Sequence, residues 1–377
     1  MPCLNEADTL AICIEKAQRA MKQHAISGEI IVADNGSTDG SQAIAASMNA
    51  RVVPVTERGY GSALMGGIDA ARGRFILMAD ADDSYDFLEL PKFVEKLREG
   101  HDLVQGCRLE RGGGRVLPGA MPFLHRHWGN PMFSAMARSW FSAPVSDVYC
   151  GMRGFTKQHY TQLGQRCTGM EFATEMIIKS SLMRSDIAEV PITLHPDGRK
   201  AHAPHLRTFR DGWRTLRFFL LYSPRWLFLA PGAVLIFLGL LGYAIALPGV
   251  EAFGVTFDAH TLLFASLAII CGYQSILFAV FTKVFAISAG LLPRDPRLER
   301  IGSFITLERA LIAAVGAMIV GFVLLLLAIN EWRLTDFGAL DYSSTMRLVV
   351  PGVTLTVLGF QTLLSSFFVS VLALGRR

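Results

Sequence analysis

Four long runs without one charged side chain dictate what this chain folds into: Trp226–Leu247, Thr261–Thr282, Ala310–Asn330 and Leu348–Gly375. An α-helix rises about 1.5 Å per residue, so about 20 apolar residues cross the roughly 30 Å of hydrocarbon in a bilayer. Core helices of soluble domains are seldom this long or this free of charge, so four membrane spans are expected. None is at the N-terminus, and no signal peptide is expected. The charged residues gather ahead of Arg225; over the whole chain only 18% of residues are charged, against about a quarter in a soluble domain. A disordered chain, a small disulfide scaffold and a purely soluble protein are excluded. The net charge of +4 is mild and dispersed, which gives nucleic acid no footing. The six cysteines form no Cys-x-x-Cys pair and read as reduced, mostly buried thiols of a cytosolic domain.

Lysine and arginine set the expected orientation. The loop from Pro248 to His260 has neither, the loop from Leu291 to Arg309 has Arg294, Arg297, Arg300 and Arg309, and the tail ends in Arg376 and Arg377. Both ends therefore lie inside, in the cytoplasmic face of the cell (inner) membrane. Leu206–Tyr222 carries Arg207, Arg210, Arg214 and Arg217 at helical spacing beside Trp213, Phe218 and Phe219. It reads as an amphipathic helix in the headgroup layer or as an ordinary surface helix; Lys283–Leu292 is a second such segment. The expected division is residues 1–205 as a cytoplasmic domain, 206–225 as an interfacial helix, and 226–377 as a four-helix membrane domain.

Ahead of the membrane part, strand-like and helix-like pieces alternate. Strands are expected over Glu29–Ala33, Arg51–Val55, Phe75–Ala79, Asp102–Gly106 and Ile187–Val190. Helices are expected over Ala7–His24, Ser41–Met48, Ser62–Ala71, Leu88–Glu99 and Glu171–Ser181. This alternation predicts an α/β domain with a mostly parallel sheet covered on both faces. Ligands of such sheets bind beyond the carboxyl ends of the strands, where Asp34 and Asp80 both fall.

Asp80-Ala81-Asp82 is the sharpest chemical feature. Two carboxylates two apart, where Phe-Ile-Leu-Met-Ala runs out, can hold a hard divalent cation that neutralises a diphosphate. The same triplet also reads as a solvated turn, although Asp83 and Asp86 follow and so many carboxylates repel unless compensated. Asp34-Asn35-Gly36-Ser37-Thr38-Asp39-Gly40 follows a strand: Asp34 can accept from a base or sugar, and Ser37 or Asp39 can cap the next helix. Arg58-Gly59-Tyr60-Gly61 lets backbone approach a phosphate or simply turns.

Together these pieces resemble the family 2 glycosyltransferases, and within them the membrane-anchored dolichyl- or polyprenyl-phosphate glycosyl synthases. The resemblance is carried by Pro2-Cys3-Leu4-Asn5-Glu6, Asp34 to Asp39, Gly59-Tyr60-Gly61-Ser62-Ala63, Asp80-Ala81-Asp82, Gly106-Cys107-Arg108, Asp147 to Phe155 and Val190-Pro191, in order over the first 200 or so residues. It implies a GT-A nucleotide-sugar fold. Pro2, Leu4, Asn5, Glu6 and Asp34, with Asn35, Ser37, Gly59 and Ala81 around them, would hold the nucleotide of a GDP- or UDP-sugar. Asp80 would contact the nucleotide, and Asp80 and Asp82 would ligate Mg²⁺ or Mn²⁺. Arg108, Arg126, Arg153 and Arg199 would contact phosphates of donor or lipid. A polyprenyl phosphate and the membrane are the other implied partners, and a homo-oligomer stays open.

Two departures go with the resemblance. The family has an apolar strand ahead of its Pro-x-x-Asn-Glu motif, whereas this chain begins Met1-Pro2, so either the start is placed too late, which is the expectation, or the first strand is lacking, which would leave neighbouring ladder groups unpaired. Dolichyl-phosphate mannose synthases usually have Gln two residues after the second Asp; here that position is Ser84, which brings Asp83 or Asp86 into consideration as metal ligands. His195, His202 and His205 cluster further on and read as loop residues near the lipid phosphate rather than a zinc site. The implied reaction is attack of a lipid phosphate oxygen on the anomeric carbon, which needs no strong base. A rival glycosyltransferase with a hydroxyl acceptor would need one, and Glu175 or Asp147 is the candidate. A non-catalytic nucleotide-sugar sensor is the remaining alternative.

Overall fold

The computed structural model describes residues 1–199, 208–252, 255–289, 292, 295–304 and 306–374. The chain divides into two units, Met1–Phe219 and Leu220–Arg377. The first alternates strands and helices: β1 (Pro2–Cys3), α1 (Leu10–Gln23), β2 (Ile31–Asp34), α2 (Ser41–Ser47), β3 (Arg51–Pro54), α3 (Tyr60–Ala70), β4 (Phe75–Met78), α4 (Leu90–Arg98) and β5 (Leu103–Cys107). There follow β6 (Arg115–Val116), α5 (Asn130–Phe141), β7 (Arg153–Thr156), α6 (Lys157–Leu163), α7 (Phe172–Leu182), β8 (Ile187–Pro191) and β9 (Thr193–Leu194), then α8 (Thr208–Tyr222). The periodic segments form where expected. Helix α1 buries Leu10, Cys13, Ile14, Ala17 and Ala20, one stripe at 3.6-residue spacing. Strand β5 is buried along its whole length, as a strand covered on both faces must be.

Strands β1, β2 and β3 pair in parallel. Residues Met1 to Cys3 pair with β2: the Met1 amino group donates to the Ile31 carbonyl at 2.9 Å, Ala33 N donates to the Met1 carbonyl at 2.9 Å, and Asn35 N donates to the Cys3 carbonyl at 2.9 Å. Beside β2, therefore, the expected unpaired ladder groups are not found. A four-stranded sheet runs in the order β4-β7-β5-β8. Strand β7 was hidden inside the Asp147–Phe155 motif, and it runs antiparallel to both β4 and β5, so the sheet is more mixed than alternation alone suggests. Its antiparallel register sets Met78 opposite Arg153. The residues that lead into β7 therefore stand beside the Asp80 turn that leaves β4.

Helix α8 covers the expected Leu206–Tyr222 segment from Thr208 onward; Arg207, His202 and His205 lie outside the described residues. Trp213 is exposed, but Phe218 and Phe219 are buried. Phe219 packs 5.9 Å from Phe133 and 5.5 Å from Phe141, so part of the aromatic face is turned to α5 rather than to solvent.

The second unit holds α9 (Ala230–Ala246), α10 (Ala259–Ser288), α11 (Pro296–Phe304), α12 (Leu307–Leu334) and α13 (Tyr342–Leu374). Arg225–Ala246, Ala259–Ser288, Leu307–Leu334 and Tyr342–Ala373 are long and apolar enough to cross a bilayer, at the four places expected. Helix α9 packs on α10, α10 on α13, and α13 on α12. Backbones meet at glycines, where a β-carbon on Gly232 would stand 2.7 Å from the Gly272 carbonyl oxygen, so only glycine allows this approach.

Candidate active site

The turn after β2 is wired to the turn after β1. Asp34, 1% exposed, accepts Gly36 N at 3.1 Å, Ser37 N at 3.2 Å and the Gln42 amide at 2.6 Å. Asn5 takes a left-handed backbone (φ 62°) and accepts Thr38 N at 2.8 Å, while Asn5 N donates to Ser37 Oγ at 2.9 Å. Glu6 N donates to Ser41 Oγ at 3.0 Å. Asn35 points the other way, giving its amide to the Val55 and Glu57 carbonyls at 2.9 and 2.7 Å and accepting Gly59 N at 2.8 Å. Gly59 sits at φ 138°, a conformation closed to residues with a β-carbon. These polar residues make one rigid floor at the carboxyl ends of β1–β3, with Leu4 exposed on it.

Across from this floor, the Asp80 carboxylate accepts the Tyr60 hydroxyl at 2.8 Å. Burial first, and then the charge of Asp82, push Asp80 up to about 6, against the Tyr60 hydrogen bond and the pull of Arg199 and Arg108. A β-carbon on Gly151 would lie 3.0 Å from Asp80 Oδ2, so the glycine leaves that oxygen room. Asp82 Oδ1 accepts Ser84 N and Oγ at 3.1 and 2.6 Å, and Oδ2 meets Arg199 Nη2 at 3.3 Å. Arg199 reaches Glu6 Oε1 at 3.2 Å with its other terminal nitrogen and is braced by Asp197. It thereby ties the first motif to the Asp-x-Asp. Asp83 pairs with Lys16 at 2.7 Å and Asp86 caps Leu88 N at 3.0 Å, so neither carboxylate is directed to the pair. Among the described residues no third His, Cys, Asp or Glu joins Asp80 and Asp82 in a ligand cluster.

Arg108 is 8% exposed and makes a two-pronged pair with buried Asp147, at 2.7 Å from Nε and 2.9 Å from Nη2. Its Nη1 reaches the Tyr85 hydroxyl at 3.4 Å, and that hydroxyl accepts Gly151 N at 2.8 Å. Arg126 lies at the surface, 3.0 Å from Glu110. Glu175 is fully buried, bound by Lys179 at 2.7 Å and by the Arg166 and Cys167 amides at 3.0 and 2.8 Å.

Residues 1–164 match the glycosyl transferase family 2 domain, and residues 280–373 match the family 2 C-terminal transmembrane region. The low-salt glycan biosynthesis hexosyltransferase Agl6 of Haloferax volcanii is 37% identical over 99% of this chain and 88% of its own length. The chain is a family 2 glycosyltransferase. A dolichyl-phosphate hexose transferase from the same organism is 33% identical over 48% of the chain and 75% of its own. Glucosyl-3-phosphoglycerate synthase from Mycobacterium tuberculosis overlaps 59% of this chain and 78% of its own at 20% identity, with a TM-score of 0.47.

In the glycosyltransferase, then, Pro2 to Glu6, Asp34, Asn35, Ser37 and Gly59 form one hydrogen-bonded floor, and Asp80, Ala81 and Asp82 face it across Arg199. Ala81 contributes its carbonyl, which accepts the Thr9 hydroxyl at 2.6 Å. Arg153 corrects the expectation placed on it. It is 0% exposed, and its terminal nitrogens donate to the Ala173 and Cys150 carbonyls at 2.5 and 2.6 Å, so it braces the core beneath Asp80 and meets no open surface. Tyr60, Tyr85 and Gly151 went unassigned from sequence. Tyr60 lies in the Gly-Tyr-Gly motif and Gly151 in the Asp147–Phe155 motif, but only the fold reveals that both stand against Asp80, Tyr60 from α3 and Gly151 from the lead into β7.

Proposed function

We propose that this glycosyltransferase moves a sugar from a nucleotide sugar, carrying GDP or UDP, to a polyprenyl phosphate at the cytoplasmic face of the inner membrane. One observation carries the reading: the two carboxylates that would serve a hydroxyl acceptor are both engaged, Asp147 by Arg108 and Glu175 by Lys179. An acceptor that needs deprotonation has no base there, whereas a phosphate monoester is already anionic. The relative named as a dolichyl-phosphate hexose transferase agrees with this acceptor class.

In the reaction a phosphate oxygen of the acceptor attacks the anomeric carbon as the bond to the nucleoside diphosphate breaks. A single displacement inverts the centre, so an α-linked donor gives a β-linked lipid phosphosugar. The floor around Asp34 and Asn5 orients the nucleotide, and Arg199 offers charge to the diphosphate. Asp80 and Asp82 suit a hard divalent cation, Mg²⁺ or Mn²⁺: both carry oxygen donors, and burial leaves Asp80 short of compensating charge. When bound, such an ion would relieve the charge of the departing diphosphate. Catalysis then rests on positioning and electrostatics. Incubating the purified enzyme with radiolabelled nucleotide sugars and extracted lipid tests the reading. Label should enter a lipid that mild acid releases as free sugar; label confined to polymer or to the aqueous phase would refute it.

A further inference from the structure

Glu175 is 0% exposed in the core of the first unit, and no step of the transfer uses it. Its carboxylate meets Lys179 at 2.7 Å and accepts the Arg166 and Cys167 amides at 3.0 and 2.8 Å, while Lys179 also donates to the Gly164 carbonyl at 2.7 Å. Burial opposes its ionisation, yet Lys179 and the two amides hold it below the ordinary carboxylate range. A buried ion pair contributes little net stability, so this one calls for another use. What it fastens is backbone: the loop between α6 and α7 is held at Gly164, Arg166 and Cys167.

The next residues of that loop press on the turn that opens α3. Ser62 N donates to the Thr168 carbonyl at 3.2 Å. A β-carbon on Gly59 would run into the Thr168 carbonyl oxygen, and one on Gly61 into that of Cys167. Two glycines thus let two backbones touch, and the residue between them is Tyr60. Its hydroxyl donates to Asp80 Oδ1 at 2.8 Å, while Gly151 leaves room beside Oδ2. A carboxylate rotates easily about its last side-chain bond, so a hydrogen bond to one oxygen fixes where the other points.

Resting on the cation role given to Asp80 above, we propose that Tyr60 and Glu175 are positioning residues for the carboxylate pair. Glu175 holds residues 166–168 against the Gly59–Ser62 turn, the turn presents Tyr60, and Tyr60 keeps Asp80 turned so that Oδ2 takes the divalent cation.

The test uses the full-length enzyme in detergent and Mn²⁺ as probe, titrated with UDP or GDP present while EPR reads the free ion. Tyr60→Phe keeps the ring and removes the hydroxyl, so it should weaken Mn²⁺ binding about tenfold with the thermal midpoint unchanged. In turnover KM for the donor should rise, and KM for the acceptor should stay within about twofold. Glu175→Gln should weaken Mn²⁺ binding in the otherwise unaltered enzyme and add little in the Tyr60→Phe background, because both act through one contact. A merely structural Glu175 would lower the thermal midpoint equally in both backgrounds and leave the Mn²⁺ affinity of the folded protein alone, which would overturn its part. Gly61→Ala presses on the same seam without touching the ion pair, and serves if Glu175→Gln does not fold; it should weaken Mn²⁺ binding in the same non-additive way. Unchanged affinity in Tyr60→Phe would overturn the proposal, and additive losses would overturn the route from Glu175 through Tyr60. If the unaltered enzyme binds no Mn²⁺ with either nucleotide, the cation role of Asp80 fails together with this one; Mn²⁺ binding lost in Asp82→Asn but intact in Tyr60→Phe overturns this one alone.

Discussion

In the first unit the turns that close the site are tied through side chains: Asn35 spans to Val55, Glu57 and Gly59, Asp34 to Gly36, Ser37 and Gln42. In the membrane unit the helices meet at glycines, Gly232 against Gly272 and Gly321 against Gly352, with a few hydroxyl contacts such as Tyr243 to Ser266 at 2.6 Å. Water sets the first style, because a loop's polar groups must be matched where solvent is pushed out. Lipid sets the second, because apolar tails are as oily as the helices, so close packing replaces the hydrophobic force. A substitution at the strand ends should therefore cost chemistry and spare the fold, while one at a helix seam should cost fold and spare the chemistry.

The largest effect should come from Asp82→Asn. It removes one of the two adjacent carboxylates and relieves repulsion on Asp80, so transfer should fall on the order of 100-fold or more while the thermal midpoint holds. A melting temperature that drops with activity would place Asp82 among the residues that hold the fold. Gly321→Leu makes the opposite cut. A β-carbon there would stand 2.4 Å from Thr356 Oγ1 and 2.7 Å from the Gly352 carbonyl oxygen. Overpacking of this kind costs about 1–3 kcal/mol, to be read from thermal unfolding in detergent, with nucleotide binding retained.

Helix α8 (Thr208–Tyr222) continues past Phe219, where the first unit ends, and its arginines sharpen the contrast. Changing Arg210, Arg214 and Arg217 to Gln should raise KM for a long-chain lipid acceptor several-fold and leave nucleotide affinity alone, since each basic residue near an anionic surface contributes on the order of 1 kcal/mol. Equal losses in both would mark the helix as structural, through contacts such as Arg214 with Glu171 at 3.9 Å. The smallest effect concerns His159, buried against Ser180 at 2.8 Å. Burial lowers its pKa, with Asp102 opposing. The unfolded chain therefore takes up this proton more readily, and the stability contributed by neutral His159 is present above about 6.5 and lost as pH falls through the folded value. Between pH 7 and pH 5 the wild type should lose slightly more stability than His159→Gln, as denaturant melts at each pH would reveal.

The sequence makes the periodic parts legible. The apolar stripe of α1, the short β-rich runs ending in Asp34 and Ala79, and the four uncharged spans each rest on local spacing, and the structure has each within a few residues. It hides β7, because Arg153-Gly154-Phe155-Thr156 is short and neither alternating nor uniformly apolar. The Arg153 role was illegible for the same reason: an arginine inside a motif reads as a phosphate contact until its neighbours are known to be carbonyls in the core. Arg199 rests on the family resemblance alone in the sequence, because its position between Glu6 and Asp82 depends on residues far apart in the chain.

The central claim is that the acceptor atom is a phosphate oxygen rather than a hydroxyl. ³¹P NMR of the lipid product, made with the purified enzyme and a polyprenyl phosphate, tests it directly. The acceptor's phosphomonoester resonance should give way to a phosphodiester as sugar is transferred, in step with nucleoside diphosphate release. A phosphomonoester signal that persists unchanged while sugar accumulates on the lipid or on another acceptor would contradict the account.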